Sequence, residues 1–163
     1  MLTTSNLLNH TPTHHRQANK QSTTPESAPA SLSLSIEGRN LELTFGGTDR
    51  PYSSYPAFNT PDSFLDAVKD AGFHVLTTAN NHSMDTGKAG VIRTLDKLDA
   101  YDIEHMGTYR SAEERDTILY KEVNGIRFAF LSYTYSTNGI PIPDDYLVNL
   151  LDEEWMVQDI RKA

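Results

Sequence analysis

The chain has 163 residues, no cysteine, and 14 basic against 22 acidic side chains, for a formal charge of −8. That length suits one domain. The lack of Cys excludes a disulfide framework, a thiolate metal site and a cysteine nucleophile, and the acidic balance argues against nucleic-acid binding, whose footprint is a basic stripe. No apolar run approaches the roughly 18 residues of a membrane span, and residues 1–30 lack the positive start and apolar block of a signal peptide.

Ser, Thr, Pro, Asn, Gln and His fill 23 of the first 35 positions. Such a stretch buries too little apolar surface to offset the entropy of ordering, so 1–35 reads as a flexible, low-complexity segment. It holds Arg16 and Lys20 against Glu26, which leaves −9 on residues 36–163. Those residues read as the domain, long enough to bury about two-thirds of their unfolded surface.

From Ile36 strand-like and helix-like words alternate. Asn40 to Phe45 reads as the end of a strand, and Pro51 to Asn59 as a Tyr/Pro/Ser loop. Thr60-Pro61-Asp62 reads as a helix start, with Thr60 as N-cap and an acid near the positive end of the dipole. Phe64, Leu65, Val68 and Ala71 form its apolar stripe, and Gly72 is the stop. Phe73 to Thr78 is a short β-rich run. A second helix spans Gly87 to Ala100, with Val91, Ile92, Leu95 and Leu98 on one face. Asp102 to Met106 is a brief strand, and Ser111 to Asp116 one helical turn. Ile118–Val123 and Ile126–Tyr133 flank Asn124-Gly125, the strongest short hairpin signal. After a Pro/Gly/Asn loop at 134–145, Asp152 begins a last helix. The alternation implies an α/β layer architecture with right-handed crossovers. A helix after a strand usually leads to another strand, and none follows here, so the domain reads as cut short at its C-terminal end.

The sharpest chemical word is Ala79-Asn80-Asn81-His82-Ser83-Met84-Asp85, directly after the 73–78 strand. The carboxyl ends of strands are where α/β sheets build their sites. An Asn amide oxygen is a neutral ligand for a divalent cation, and His82 can move a proton or bind metal. Asp85 either orients that imidazole or caps the following helix. The competing reading is structural, with Asn80 and Asn81 merely forming a turn, and residue types alone put it first. Glu42, near Asn40, is either a strand-end metal bridge or a solvated acid. His74 and His105 alternate with apolar neighbours and read as half-buried structural residues. Phe45-Gly46-Gly47 lacks the Lys-Ser/Thr of a phosphate loop and reads as a turn.

Taken in order, the words NLELTFGG, FNTPDSFLDAVKDAGFHVLTTANNHSMDTG, MGTYRSAEERD and NGIRFAFLSYTYSTNGIP resemble the CapA family of bacterial capsule (poly-γ-glutamate) synthesis proteins, over about Asn40 to Ala163. The resemblance implies a calcineurin-like metallophosphatase fold, a sandwich of mixed sheets flanked by helices, present here in part. It implies a divalent-metal site (Mn, Zn or Mg) with Glu42 and Asn81 as ligands, His82 as the catalytic or phosphate-contacting residue, and Asn40, Asn80 and Asp85 in support. Members open with a Gly-Asp strand followed by His. Here Ser5-Asn6 and His10 stand in that place, so Asn6 and His10 are weak candidates. The family's later histidine motifs lie past the last helix and have no counterpart in these residues, so the resemblance implies an incomplete ligand set. Partners implied are capsule-synthesis proteins or a polyglutamate-type substrate. Family members are often membrane-anchored at the cell surface. The alternative function is non-catalytic, a truncated domain acting as a protein-binding or assembly piece.

Overall fold

The alternation of apolar strand words and amphipathic helix words between residues 36 and 106 folds into a three-stranded parallel sheet with helical crossovers. This is seen in a computed structural model, which describes residues 36–163. The strands are β1 (Gly38–Asn40), β2 (Val75–Thr77) and β3 (Glu104–Met106), adjacent in that order. Gly38, Arg39 and Asn40 face Val75, Leu76 and Thr77, which in turn face Glu104, His105 and Met106. Helix α1 (Phe64–Asp70) links β1 to β2, and α2 (Gly87–Ala100) links β2 to β3.

Both helices end in the same way, and the ending aims the next strand. After α1, Gly72 adopts φ 82°, its N–H reaches Lys69 O at 2.9 Å and the Phe73 N–H reaches Val68 O at 3.4 Å. After α2, Asp102 takes φ 53°, with Asp102 N–H on Asp99 O and Ile103 N–H on Leu98 O, each at 3.0 Å. This pair of bonds satisfies the last carbonyls of a helix when the residue past the cap is left-handed. The accompanying apolar contact is present at α2, where Leu98 and Ile103 share the core. Val91, Leu95 and Leu98 supply the buried face of α2, joined by Gly90 and Thr94.

The second sheet is the hairpin β4 (Leu119–Val123) and β5 (Ile126–Phe130). Its two-residue turn has φ 54° at Asn124 and 76° at Gly125, the pair of positive values that a two-residue turn needs to match strand twist. Ser111 caps the single turn α3 (Ala112–Arg115) by accepting from Glu114 N–H. Asp152 caps α4 (Glu153–Lys162) by accepting from Trp155 N–H at 2.9 Å. The whole is a mixed α/β arrangement with one parallel and one antiparallel sheet. Among the described residues no helix is long and apolar enough to cross a membrane.

Several details differ from the sequence reading. The first strand ends at Asn40 instead of continuing to Phe45. Past it only Leu41 N–H still bonds across the sheet, to Thr77 O at 2.8 Å, while Phe45 N–H turns aside to the Thr94 hydroxyl. Thr60 is not an N-cap, because α1 begins four residues on at Phe64, and its N-cap residue, Ser63, makes no side-chain cap bond. The stripe of α1 narrows to Leu65 and Val68, with Phe64 and Ala71 exposed. His74 precedes β2 and is exposed, whereas His105 is half-buried, its side chain 9% exposed, and bonds Asp99 through Nε2 at 3.0 Å. The assignments made for residues 1–35, including Asn6 and His10, lie outside the described residues.

Candidate functional site

Parallel pairing brings the carboxyl ends of β1 and β2 to one edge, and with them Asn40, Leu41 and Glu42 beside the run from Thr78 to Asp85. Asn80 ties the two together. Its Nδ2 donates to Leu41 O at 2.7 Å and to Asn40 Oδ1 at 3.3 Å, while its Oδ1 accepts from His82 N–H at 2.9 Å. Asn80 N–H donates to the Ser83 hydroxyl at 2.9 Å, and that hydroxyl lies 2.7 Å from the carbonyl of Thr78. Asn80 is thus a buried structural residue whose amide is consumed in shaping the loop. These are the bonds the turn reading expects of it.

His82 is 5% exposed. Its Nδ1 lies 2.8 Å from Asp85 Oδ2, whose side chain is only 1% exposed. A buried carboxylate at Nδ1 favours the tautomer with the proton there, which leaves Nε2 with its lone pair free. Nε2 faces Glu42 Oε1 at 4.0 Å, too far for a hydrogen bond and suited to one atom between them. Glu42 is solvent-facing, its side chain 57% exposed. Of the two roles open to Asp85, orienting the imidazole is the one realised. The N-cap residue of α2 is Thr86, and no side chain caps that helix end.

Asn81 Nδ2 donates to Asn138 Oδ1 at 3.2 Å, joining the loop to the 134–140 segment. Asn40 Oδ1 receives Thr77 Oγ1 and Asn80 Nδ2, both at 3.3 Å. Two carboxylates therefore flank the imidazole, the buried Asp85 at Nδ1 and the exposed Glu42 4.0 Å from Nε2, while the amides of Asn80 and Asn81 are engaged in hydrogen bonds of their own. Among the described residues no group of three or more His, Cys, Asp or Glu lies close enough to hold a metal ion.

The sequence reading missed Phe58. Its N–H donates to Asp85 Oδ2 at 2.7 Å and its ring meets His82 edge-on, with centroids 4.6 Å apart. Nothing in the word YPAFNT marks Phe58 as a site residue, since the contact joins positions 27 apart. An aromatic edge and a second donor to Asp85 dry the buried side of the imidazole and fix its partner.

A 68-residue stretch of the chain is 40% identical to the capsule biosynthesis protein CapA of Bacillus anthracis, covering 42% of this chain and 16% of that protein. Another is 37% identical over 68 residues to the PGA biosynthesis protein CapA of Bacillus subtilis (strain 168), covering 41% and 18%. The aligned part thus spans less than a fifth of the length of either relative. The model of the family described as bacterial capsule synthesis protein PGA_cap matches residues 11–163, nearly the whole chain, and the chain belongs to that family.

Proposed function

We propose that the chain serves capsule biosynthesis through a weak divalent-cation site of metal-hydrolase type at the edge of its parallel sheet. In this reading the mixed sheets belong to a metallophosphatase-like sandwich. The observation that carries it is the Asp85–His82 pair, which presents Nε2 toward Glu42 across 4.0 Å. Glu42, His82 and a neutral amide oxygen of Asn81 or Asn40 form an open, singly charged donor set. It fits one cation of the Mn, Zn or Mg kind that keeps several of its waters. When bound, such a cation polarises a phosphoryl oxygen and acidifies a bound water. The chain's own part is orientation: Asp85 holds the Nδ1 proton, and Nε2 is placed to take a proton from, or give one to, a group at the sheet edge. Capsule-synthesis proteins and a polyglutamate-type substrate are the partners this reading implies.

Isothermal titration with Mn²⁺ and with Zn²⁺ tests it. Weak binding in the wild type, lost in both Glu42→Gln and His82→Ala, is the expected result. Equal heats in all three proteins would remove the site. Hydrolysis of an aryl phosphate by the metal-loaded protein, lost in the same variants, tests the chemistry separately.

A second reading is a non-catalytic assembly piece. It is favoured by the exposed apolar side chains of β5 and α4, namely Ile126, Phe128, Trp155, Val157 and Ile160. Sedimentation of Phe128→Ser and Ile160→Ser against the wild type checks it, since an assembly face predicts self-association or partner binding that these changes weaken.

A further inference from the structure

The loop at residues 51–59 is joined to the site through one carboxylate oxygen. Asp85 Oδ2 accepts from both His82 Nδ1 and Phe58 N–H, at 2.8 and 2.7 Å. The same Phe58 peptide is held on its other side, where the Thr44 hydroxyl donates to Phe58 O at 2.6 Å. One residue on, Asn59 is almost fully buried and closes the loop. Its Nδ2 donates to Gly47 O and Pro51 O, each at 3.0 Å, and its Oδ1 accepts from Gly46 N–H at 2.8 Å. There is no slack at this junction: a Cβ on Gly46 would stand 2.9 Å from Asn59 Oδ1 and 2.6 Å from Thr86 Cγ2.

We propose that Thr44 and Asn59 are positioning residues for His82, setting its tautomer and rotamer by docking the 51–59 loop so that Phe58 shares Asp85 with the imidazole. A carboxylate oxygen that receives two donors at once has its direction fixed by both. If Phe58 N–H withdraws, Asp85 is left with a single partner and the edge contact of the Phe58 ring is lost. His82 then becomes free to turn and to shift its proton between nitrogens. Loop docking and imidazole orientation are therefore one equilibrium. Its importance for chemistry rests on the reading that Nε2 acts at the sheet edge, but the coupling itself is a property of the metal-free chain.

The test uses nitrogen NMR of the full chain with chelator present, at pH 8.5, where the neutral tautomers are compared. In the wild type, His82 shows the Nδ1-protonated form alone. Thr44→Val keeps the shape and removes the hydroxyl. Loss of one hydrogen bond is worth about fivefold in an opening equilibrium, so exchange of Phe58 N–H and of His82 Nδ1–H should quicken together by about that factor. The Nε2-protonated form should appear, and Thr44→Ser should restore the wild-type signature. Asn59→Asp, which loses the two donors, should give the larger change. If it fails to fold, the Thr44 pair decides. Unchanged His82 signals in folded Thr44→Val would overturn the coupling, whether or not Phe58 N–H is loosened. Because no metal is present, failure of cation binding would leave this result standing, and the reverse also holds.

Discussion

Ten of the twelve residues of the apolar core cluster lie between Leu41 and Ile103, and the other two are Leu147 and Val148. By contrast, eight of the eleven large apolar side chains exposed among the described residues lie at or beyond Ile126. The two regions are stabilised differently. In 41–103, helices α1 and α2 press apolar faces onto the parallel sheet, and burial of Phe45, Leu65, Leu95 and Leu98 does the work. In 111–163, helix α4 buries one residue, and that residue is Asp159. Arg115 forks onto Asp159 at 2.9 and 2.7 Å, Tyr133 donates to it at 2.6 Å, and Arg115 stacks over the Trp155 ring at 4.4 Å. Burial works to raise the Asp159 pKa, but the Arg115 and Tyr133 hydrogen bonds outweigh it and hold the carboxyl below its ordinary value. Burial first, and Asp159 second, push the Tyr133 phenol up. The candidate site, with its buried His82–Asp85 pair, is thus built on the apolar region, while the polar-pinned region carries the exposed faces.

The contrast is broken most severely by Phe45→Ala. A fully buried Phe removed from a close-packed core costs about 3–5 kcal/mol, and in urea both regions should then unfold together at a lower midpoint. Arg115→Ala is the sharper probe. It strands a buried carboxylate, at a cost of about 3 kcal/mol or more. The expected result is local: amides of α4 should lose hydrogen-exchange protection while those of α2 keep theirs. Equal loss in both helices would show that the two regions are one cooperative unit. The double change Arg115→Met with Asp159→Leu should recover most of the loss, because an apolar pair of similar volume replaces a buried ion pair at little cost.

A smaller effect separates the regions by pH. Asp62 accepts from Arg93 at 2.8 Å on each oxygen and pairs with Lys97 at 2.9 Å, chiefly the Arg93 contact holding its pKa at about 2 against an ordinary 3.8. A carboxyl whose folded value is depressed contributes stability that is present above the unfolded value and lost as pH falls toward the folded one. The contribution of Asp62 should therefore be complete above about pH 4 and fade toward pH 2. Thermal midpoints of wild type and Asp62→Asn across that range should converge as the pH drops. A constant gap between them would show that the carboxylate charge contributes nothing.

Where local chemistry decides structure, the sequence was informative. Gly87–Ala100 matches the helix end for end, because its 3.6-residue apolar stripe marks the face that packs on the core. Asn124-Gly125 gives the hairpin through its two positive φ values. The first strand was misplaced because its apolar residues run on past the paired segment: Leu41 keeps one bond across the sheet, to Thr77 O, and Phe45 is buried without any. Their side chains carry the hydrophobic signal, but by Phe45 the backbone has turned to α2, its N–H bonded to the Thr94 hydroxyl. The run 79–85 stood out as a candidate site, and the Asp85–His82 bond was one of two options the sequence left open for Asp85. Phe58 and Asn59 were not legible, since their roles arise only when distant segments meet. The family's sandwich and metal were implied by resemblance, with no local pattern behind them.

The smallest effect concerns a single cap. Helix α4 has ten residues and no buried apolar anchor, so packing stabilises it little and its ends matter more. Asp152 satisfies Trp155 N–H, and Glu153 and Glu154 sit in the first turn while Arg161 and Lys162 sit in the last, each placed to favour the dipole. Asp152→Ala removes the acceptor and should cost about 1 kcal/mol. In a helix held by a core that loss would spread into global stability. In α4 it should appear as roughly fivefold faster exchange of the first-turn amides, Trp155 foremost, with the urea midpoint barely moved. Asp152→Asn, which keeps a side-chain oxygen, should retain most of the protection. If the midpoint instead falls by the full amount while exchange at Trp155 is unchanged, then α4 is welded to the core, and Arg115–Asp159 is more than a pin.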